Sequence, residues 1–350
     1  MNNEQENAQR PDLKIPQTLM ECIRYFSDPD VCVEFVAAMK WMHTGGLPKC
    51  PYCKGADKGA KHSYLKTRRI WKCRDCKKQF SVKAGTVFED SPIPLDKWLM
   101  AVWMVVNCKN GVSSYEIARD LKVTQKTAWF MLGRIRLAMQ EPDRGTKLGS
   151  NDGGEVEVDE TFVGGKVQNM HKSRRLRLQQ IQGGFVKTEY PGRYPGKTAV
   201  QGILDREARQ VRATVLPNVK RETLQAEVLN NVKYGSRVYT DDAVAYDKLH
   251  WRYVHDVVSH VDTYVKGRVH TNGLENFWCL LKRGLKGTYV AVEPFHLSRY
   301  VDEQVFRYNN RATKDNPLND ADRFVLALSQ IAGRRLTYKE LTGKVGETAF

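Results

Sequence analysis

Gly154-Glu-Val-Glu-Val-Asp-Glu-Thr-Phe-Val163 decides the fold class. Val156 and Val158 alternate with acids, so the run reads as a strand that buries one face. Further strand-like runs follow at Thr198 to Asp205, Gln210 to Leu216 and Arg237 to Thr240. A helical pattern, Arg221 to Val232, precedes the last of these, and helices return from Asn272. Three strands in succession, then helix, strand and helices, predict a mixed α/β domain over residues 154–313. No internal repeat is visible.

Upstream the texture differs. Glu141 to Gly154, EPDRGTKLGSNDGG, is built of turn formers and has no apolar face, which predicts a linker over 142–153. Before it, Leu95 to Gln140 keeps a helical period in three pieces, broken near Asn107–Gly111 and Lys122–Val123. The chain therefore divides into a polar segment at 1–25, a helix with a cysteine-rich ribbon at 26–90, and a helical region at 91–141. The linker, the mixed-sheet domain and a helical tail at 314–350 follow. The tail carries an amphipathic run (Phe324, Val325, Leu328, Ile331) that suits packing or oligomerisation.

At 350 residues, with 41% hydrophobic and 27% charged, the chain has enough apolar material for more than one core and is not disordered. Lys and Arg number 56 against 40 Asp and Glu, a net charge of +16, which favours a polyanionic partner, nucleic acid above all. The longest apolar run, Trp98 to Val106, is far short of the ~20 residues of a membrane span. The start, MNNEQENAQR, lacks the apolar stretch of a secretory signal.

Four of the eight cysteines form the pairs Cys50-Pro-Tyr-Cys53 and Cys73-Arg-Asp-Cys76, nineteen residues apart. Two such knuckles complete a tetrahedron of thiolates around Zn²⁺. Four protein ligands leave no open position, so the zinc is structural. The other cysteines are scattered, which suits a reducing compartment. Around the pairs stand Lys54, Lys58, Lys61, Lys66, Arg68, Arg69, Lys72, Arg74, Lys77 and Lys78, interleaved with Tyr64, Trp71 and Phe80. Basic residues among aromatics suggest contact with DNA phosphates, against the blander reading of a solvated surface.

Ser113-Ser-Tyr-Glu116 has the form of a capping box, Lys122-Val123 can turn the chain, and Thr124 can cap a second helix. Ala128, Met131, Leu132, Ile135 and Met139 share one face of that helix, with Gln125, Lys126, Arg134 and Arg136 elsewhere. The pair reads as a helix-turn-helix whose second helix enters a major groove by its N-terminal residues, Gln125 and Lys126 foremost.

Acids stand out at three places. Asp159 lies in the opening strand beside Glu155, Glu157 and Glu160; Asp241 ends Val238-Tyr-Thr-Asp241 and is followed by Asp242. Glu275 lies in a helix from about Asn272. Leu274, Phe277, Trp278, Leu281 and Leu285 form the apolar stripe of that helix, and Asn272, Glu275, Cys279, Lys282 and Lys286 its other face. Singly, each acid has an innocent role as cap, edge residue or surface ion pair. Together, in so basic a chain, they suggest a divalent-metal site for phosphodiester chemistry. Composition does not choose among the four acids of the strand, or between Asp241 and Asp242.

Three motifs carry a family resemblance: Val-Asp-Glu-Thr-Phe-Val-Gly-Gly-Lys166, Tyr-Thr-Asp-Asp242 with Tyr246, and His-Thr-Asn-Gly-Leu-Glu-Asn-Phe-Trp-Cys-Leu-Leu-Lys-Arg-Gly284. With the ribbon ahead of them, they resemble insertion-sequence DDE transposases with an N-terminal zinc ribbon, the group related to eukaryotic Merlin elements. The resemblance runs from about Phe26 to Ala312. It implies an RNase H-like catalytic domain in which Asp159, Asp241 and Glu275 hold Mg²⁺ or Mn²⁺. Thirty-three residues separate Asp241 from Glu275. Some members use Asn as the third ligand, so Asn272 stands as helper or alternative. Lys282 matches a lysine that contacts DNA near the transposon end.

In the RNase H-like core that the resemblance implies, the basic connection holding Lys166, His171, Lys172, Arg174, Arg175 and Arg177 lies beside the active site, and it reads as a DNA-contacting loop, against the blander reading of a solvated flexible one. The activity it implies is binding of terminal inverted repeats, hydrolysis that exposes 3′-OH ends, and transesterification into target DNA. Two ends must be joined to one target, so at least a dimer is expected on DNA. The free chain, with its self-repelling charge, is expected to be monomeric. The expected location is the prokaryotic cytoplasm, on the nucleoid. The competing readings are a non-catalytic DNA-binding regulator and a structure-selective nuclease on the same fold.

Overall fold

The computed structural model describes residues 14–53, 62–141, 146–165, 171–173, 176, 197–241, 244–258, 269–314 and 316–343. In chain order its helices are α1 (Leu19–Tyr25), α2 (Pro29–Lys40), α3 (Leu95–Asn107), α4 (Ser114–Leu121), α5 (Gln125–Ala138), α6 (Arg221–Asn231), α7 (Asn272–Gly284), α8 (Leu297–Asn309), α9 (Asp320–Ser329) and α10 (Tyr338–Leu341). Its strands are β1 (Ser63–Leu65), β2 (Ile70–Lys72), β3 (Gln79–Ser81), β4 (Glu155–Val163), β5 (Thr198–Asp205), β6 (Gln210–Leu216), β7 (Arg237–Asp241) and β8 (Val254–Val258). Two compact units result, Met1–Gln140 with Asn310–Phe350, and Glu141–Asn309. Among the described residues no helix is long and apolar enough to cross a membrane.

In the first unit, β1, β2 and β3 form an antiparallel sheet. Trp71 and Phe80 are buried in it, Trp71 meeting Trp41 edge-on at 5.0 Å. The Trp71 and Phe80 rings are used in packing, whereas Tyr64 is exposed. Arg69 is likewise engaged, its Nε 2.6 Å from Asp30. Lys66, Arg68, Lys72, Arg74, Lys77 and Lys78 are exposed, while Lys54, Lys58 and Lys61 lie outside the described residues.

Helix α4 starts at the Ser113–Glu116 capping box, formed in both directions, and ends where Lys122 takes a left-handed φ of 49°. Thr124 then caps α5 by accepting from the Thr127 amide at 3.2 Å, a cap worth about 1 kcal/mol. Gln125 and Lys126 are exposed at the start of α5. Gln125 donates to Ser114 Oγ at 2.9 Å, and Lys126 sits over the Tyr338 ring. Arg134 and Arg136, read from sequence as lying off the apolar face, are both buried. Arg134 donates to the carbonyls of Val87, Glu89 and Leu336, which is what makes its burial tolerable. The tail belongs to this unit: Phe324 of α9 packs on Phe26, Phe35 and Trp103.

The second unit is one mixed sheet in the order β6-β5-β4-β7-β8. The pairs β6–β5 and β5–β4 are antiparallel, and β4–β7 and β7–β8 are parallel. Val156, Val158 and Val238 pack on one face with Leu224 and Val228 of α6 and with Tyr246. The opposite face packs Val200 and Leu204 against Leu274, Phe277, Trp278 and Leu281 of α7 and Val301 of α8. Each such side chain, fully buried, contributes about 1.5–3 kcal/mol. Within the segment read as a linker, Leu148 is buried in the α6-side core and bridges Val232, so this stretch is part of the folded unit. A single apolar residue among turn formers gave too little signal to be seen.

Candidate functional site

Two centres are built from the residues singled out in the sequence. In the ribbon, the sulfurs of Cys50, Cys53, Cys73 and Cys76 all lie within 4.8 Å of one another, the only such ligand group among the described residues. Cys50 and Cys76 are 3.7 Å apart, as are Cys53 and Cys73. A tetrahedron of ~2.3 Å Zn–S bonds has edges of ~3.8 Å, close to the two pairs at 3.7 Å, so the four thiols suit a zinc ion. A hydrogen bond from the Lys78 amide draws the Cys76 pKa down to about 7, while the bond with Cys76 pushes that of Cys53 up to about 12, so without a metal the thiols share their protons unevenly.

The second centre is the α7-side face of the mixed sheet. The parallel register pairs Glu155 with Arg237, Val156 with Val238 and Glu157 with Tyr239. The paired stretch ends there; Asp159 lies two residues further along β4 and Asp241 two residues further along β7, near enough for the charge of Asp241 to bear on Asp159. The pleat puts Glu155, Glu157 and Asp159 on one face and Glu160 on the other.

The acids of β4 are then sorted by their partners. Glu157, only 1% exposed, accepts from Arg206 Nε at 2.7 Å and from the Leu274 amide in the first turn of α7 at 3.0 Å. His270 Nδ1 lies 3.6 Å from the same carboxylate. Glu155 accepts from Tyr239 Oη at 2.9 Å and pairs with Arg206 at 3.4 Å. Arg206 in turn donates to the His270 carbonyl at 2.6 Å and covers the Tyr239 ring. Both acids are thus structural. Glu157 caps the helix that bears Glu275, where a negative charge also suits the helix dipole. Gly273 makes room for this: a Cβ there would stand 2.3 Å from Leu204 and 2.9 Å from Glu157 Oε2.

Asp159 differs. Its Oδ2 accepts from the indole Nε1 of Trp278 at 2.9 Å. Burial pushes its pKa up to about 6, with Asp241 and Glu275 adding like charge and the Trp278 bond opposing the rise. The indole reaches it across Gly202, the cross-strand partner of Asp159, where a Cβ would lie 2.7 Å from the Trp278 ring. Glu160 is half-buried on the other face, and desolvation first, then Asp241 and Asp159, hold its carboxyl well above the usual range.

Glu275 is exposed on α7, one turn after the exposed Asn272 and two turns before Lys282. Burial lowers the pKa of Lys282, Asp159 opposes this, and Lys286 and Lys197 add to it. Asp159 therefore feels the charges of Asp241 and Glu275, and Lys282 feels that of Asp159. The three carboxylates do not all converge within 4.8 Å. They are hard oxygen donors, and Asp241 and Glu275 stand near enough to Asp159 to raise its pKa, a set that suits Mg²⁺ or Mn²⁺.

Lys172 and His171 are exposed, whereas Asp242, Lys166, Arg174, Arg175 and Arg177 lie outside the described residues. Sequence reasoning named Glu157 among the strand's acids without finding its role, missed Arg206, His270 and Gly202, and took Trp278 for core alone.

Residues 27–79 match the transposase zinc-ribbon domain, and residues 152–309 match the ISXO2-like transposase domain. A protein in transposable element ISH50 of Halobacterium salinarum is 25% identical over 267 residues, covering 75% of this chain and 85% of that protein. A transposase-like protein of Haemophilus influenzae is 32% identical over 106 residues, 30% of this chain and 85% of its own length. A simian T-cell lymphotropic virus intasome in complex with PP2A regulatory subunit B56 gamma covers 59% of this chain and 69% of that one, at 11% identity and a TM-score of 0.28, a likeness too loose to inform the fold. With ribbon and second unit matched in order, the chain belongs to the insertion-sequence transposases that place a transposase zinc ribbon before an ISXO2-like transposase domain.

Proposed function

We propose that the chain is a DDE transposase that binds the terminal inverted repeats of its element, cleaves there and transfers the exposed strands to target DNA. The observation that supports this reading is that Asp159 and Asp241 lie two residues beyond the paired stretch of the adjacent parallel strands β4 and β7, while Trp278 of the helix that bears Glu275 donates to Asp159. The sheet order, with three antiparallel strands and then two parallel ones, supports an RNase H-like core. Asp159, Asp241 and Glu275 are the residues that would hold Mg²⁺ or Mn²⁺, with Asn272 as helper or alternative. When bound, the divalent ions activate the attacking oxygen and stabilise the leaving oxygen of phosphodiester displacement.

The chain's own groups prepare that chemistry. Trp278 orients the Asp159 carboxylate and favours its charged form. Glu157, Arg206 and His270 fix the start of α7 and so the place of Glu275. Lys282 offers a cation to the DNA beside the site. In the first unit, α4 and α5 are read as a helix-turn-helix that presents Gln125 and Lys126 to a major groove, steadied by the zinc ribbon. Lys172, Arg174 and Arg175 belong to a connection proposed to touch DNA. The working form is a dimer or larger assembly on DNA, acting in the cytoplasm on the nucleoid.

The test is strand cleavage and joining on a duplex that carries the element's own ends. Wild-type protein should cleave and join with Mg²⁺ and not with EDTA, and Asp241→Asn should bind the duplex without cutting it. Cleavage that persists in Asp241→Asn would overturn the assignment, and cleavage without any joining would make the chain a nuclease.

A further inference from the structure

A cavity of about 540 Å³ opens in the second unit beyond the carboxylate face. Its walls include Phe162, Val163, Leu285, Pro294 and Leu297, and three lysines, Lys197, Lys282 and Lys286, line it together with one acid, Glu293. Phe162 stands three residues past Asp159 on β4, which is about 10 Å of extended strand. The cavity is thus next to the carboxylates and distinct from them. Lys197 and Lys286 lie near enough to Lys282 to press on its charge, so three lysines against one acid give the partly apolar hollow a net positive lining.

The rim is unusual in its backbone. Helix α7 runs into a π-helical turn, Leu285–Tyr289, a form found most often at functional sites. Val290 follows with φ 61° and ψ −58°, and the Ala291 amide donates to the Tyr289 carbonyl at 2.7 Å. This is a γ-turn of the strained kind, on a β-branched residue for which positive φ is an outlier. Tyr289 is anchored just before it by donating to the fully buried Glu303, which Arg307 also grips. The result is an isopropyl group held out at the mouth of the cavity, 79% exposed. Strain kept at such a place is a pointer to use.

We propose that this cavity receives one unpaired nucleotide of the DNA strand beside the carboxylates, its base between the apolar walls and its phosphates on Lys197, Lys282 and Lys286, with Val290 as the wedge at the mouth. The size is that of a small-ligand pocket, far too small for a duplex and sufficient for a base turned out of the stack. The chemistry matches both halves of a nucleotide: apolar walls for the base, and cations for its phosphates. Exposed apolar side chains that enter between base steps are a known means of unstacking them. The inference rests on reading the second unit as a DNA-processing site.

The experiment uses the full-length, zinc-loaded protein without divalent ions. The probes are a short blunt duplex and the same duplex with a single-stranded 3′ overhang carrying 2-aminopurine. The overhang duplex should bind about tenfold more tightly, one base's worth of stacking, and 2-aminopurine emission should change as its base leaves its neighbours. Ala291→Trp, which fills the cavity from an exposed position, and Lys286→Gln should each bring the ratio of the two affinities close to one. If both duplexes bind equally to the wild type, or if the ratio survives in both variants, the cavity does not take a nucleotide, and the transposase reading is untouched. If neither duplex binds at all, the DNA-processing reading itself falls, and this inference with it.

Discussion

Replacing Asp159 by Asn should make the metal-free protein more stable while abolishing its chemistry. The Asp159 carboxyl is pushed up to about 6, from an ordinary 3.8, by burial and by the charges of Asp241 and Glu275. Its folded pKa lies above its unfolded one, so the protonated form favours folding. That contribution is full below about pH 3.8 and is lost as pH rises through about 6. Holding the carboxylate charged therefore costs about 3 kcal/mol above pH 7. Asn keeps an oxygen for the Trp278 N–H and carries no charge, so Asp159→Asn should recover most of this. In the thermal transition of a unit of this size the gain is about 6–12 °C. Scanning calorimetry from pH 4 to pH 8 with EDTA should find the variant's advantage growing as pH rises through 6. Adding Mg²⁺ should stabilise the wild type and close the gap, because ions that bind only the folded carboxylates shift the equilibrium by mass action. A variant no more stable than wild type at pH 8, or an advantage unaffected by pH, would refute the picture of a strained, cation-demanding carboxylate.

Glu157→Ala should cost about 3–5 kcal/mol, since it leaves Arg206 buried without its main partner, and urea unfolding should register it; a loss under 1 kcal/mol would mean that Glu157 does not hold α7 in place. Trp278→Phe keeps the ring and removes the donor to Asp159, a charge-assisted bond of about 1.5–3 kcal/mol, so cleavage should slow roughly 10- to 100-fold with end binding retained. Wild-type cleavage in that variant would make the indole plain core. Elemental analysis should find about one zinc per chain, and Cys73→Ala should lose it together with protection of the ribbon amides from hydrogen exchange.

Much of this was legible because it is periodic or spaced. The alternation at Val156 and Val158, the stripe of Leu274, Phe277 and Trp278, and the paired cysteines each state a local geometry that tertiary structure then kept. What was not legible depends on partners far along the chain. Glu155, Glu157 and Asp159 look alike in sequence, and only Arg206 and His270, brought in from the end of β5 and the approach to α7, separate the structural acids from Asp159. Arg134 looked like a surface cation until the carbonyls of Val87, Glu89 and Leu336 closed around it. Gly202 carried no signal at all, because its purpose is the space that the Trp278 ring takes up.

Iron-directed cleavage of the polypeptide would locate the proposed metal site. Fe²⁺ replaces Mg²⁺ at oxygen-rich sites and, with ascorbate and peroxide, cuts the backbone beside its ligands. The full-length protein should yield fragments ending near Asp159, Asp241 and Glu275, suppressed by excess Mg²⁺ and absent in Asp159→Asn. Cuts confined to the cysteine ribbon, or cuts near Asp159 and Asp241 but none near Glu275 or Asn272, would contradict the three-carboxylate site.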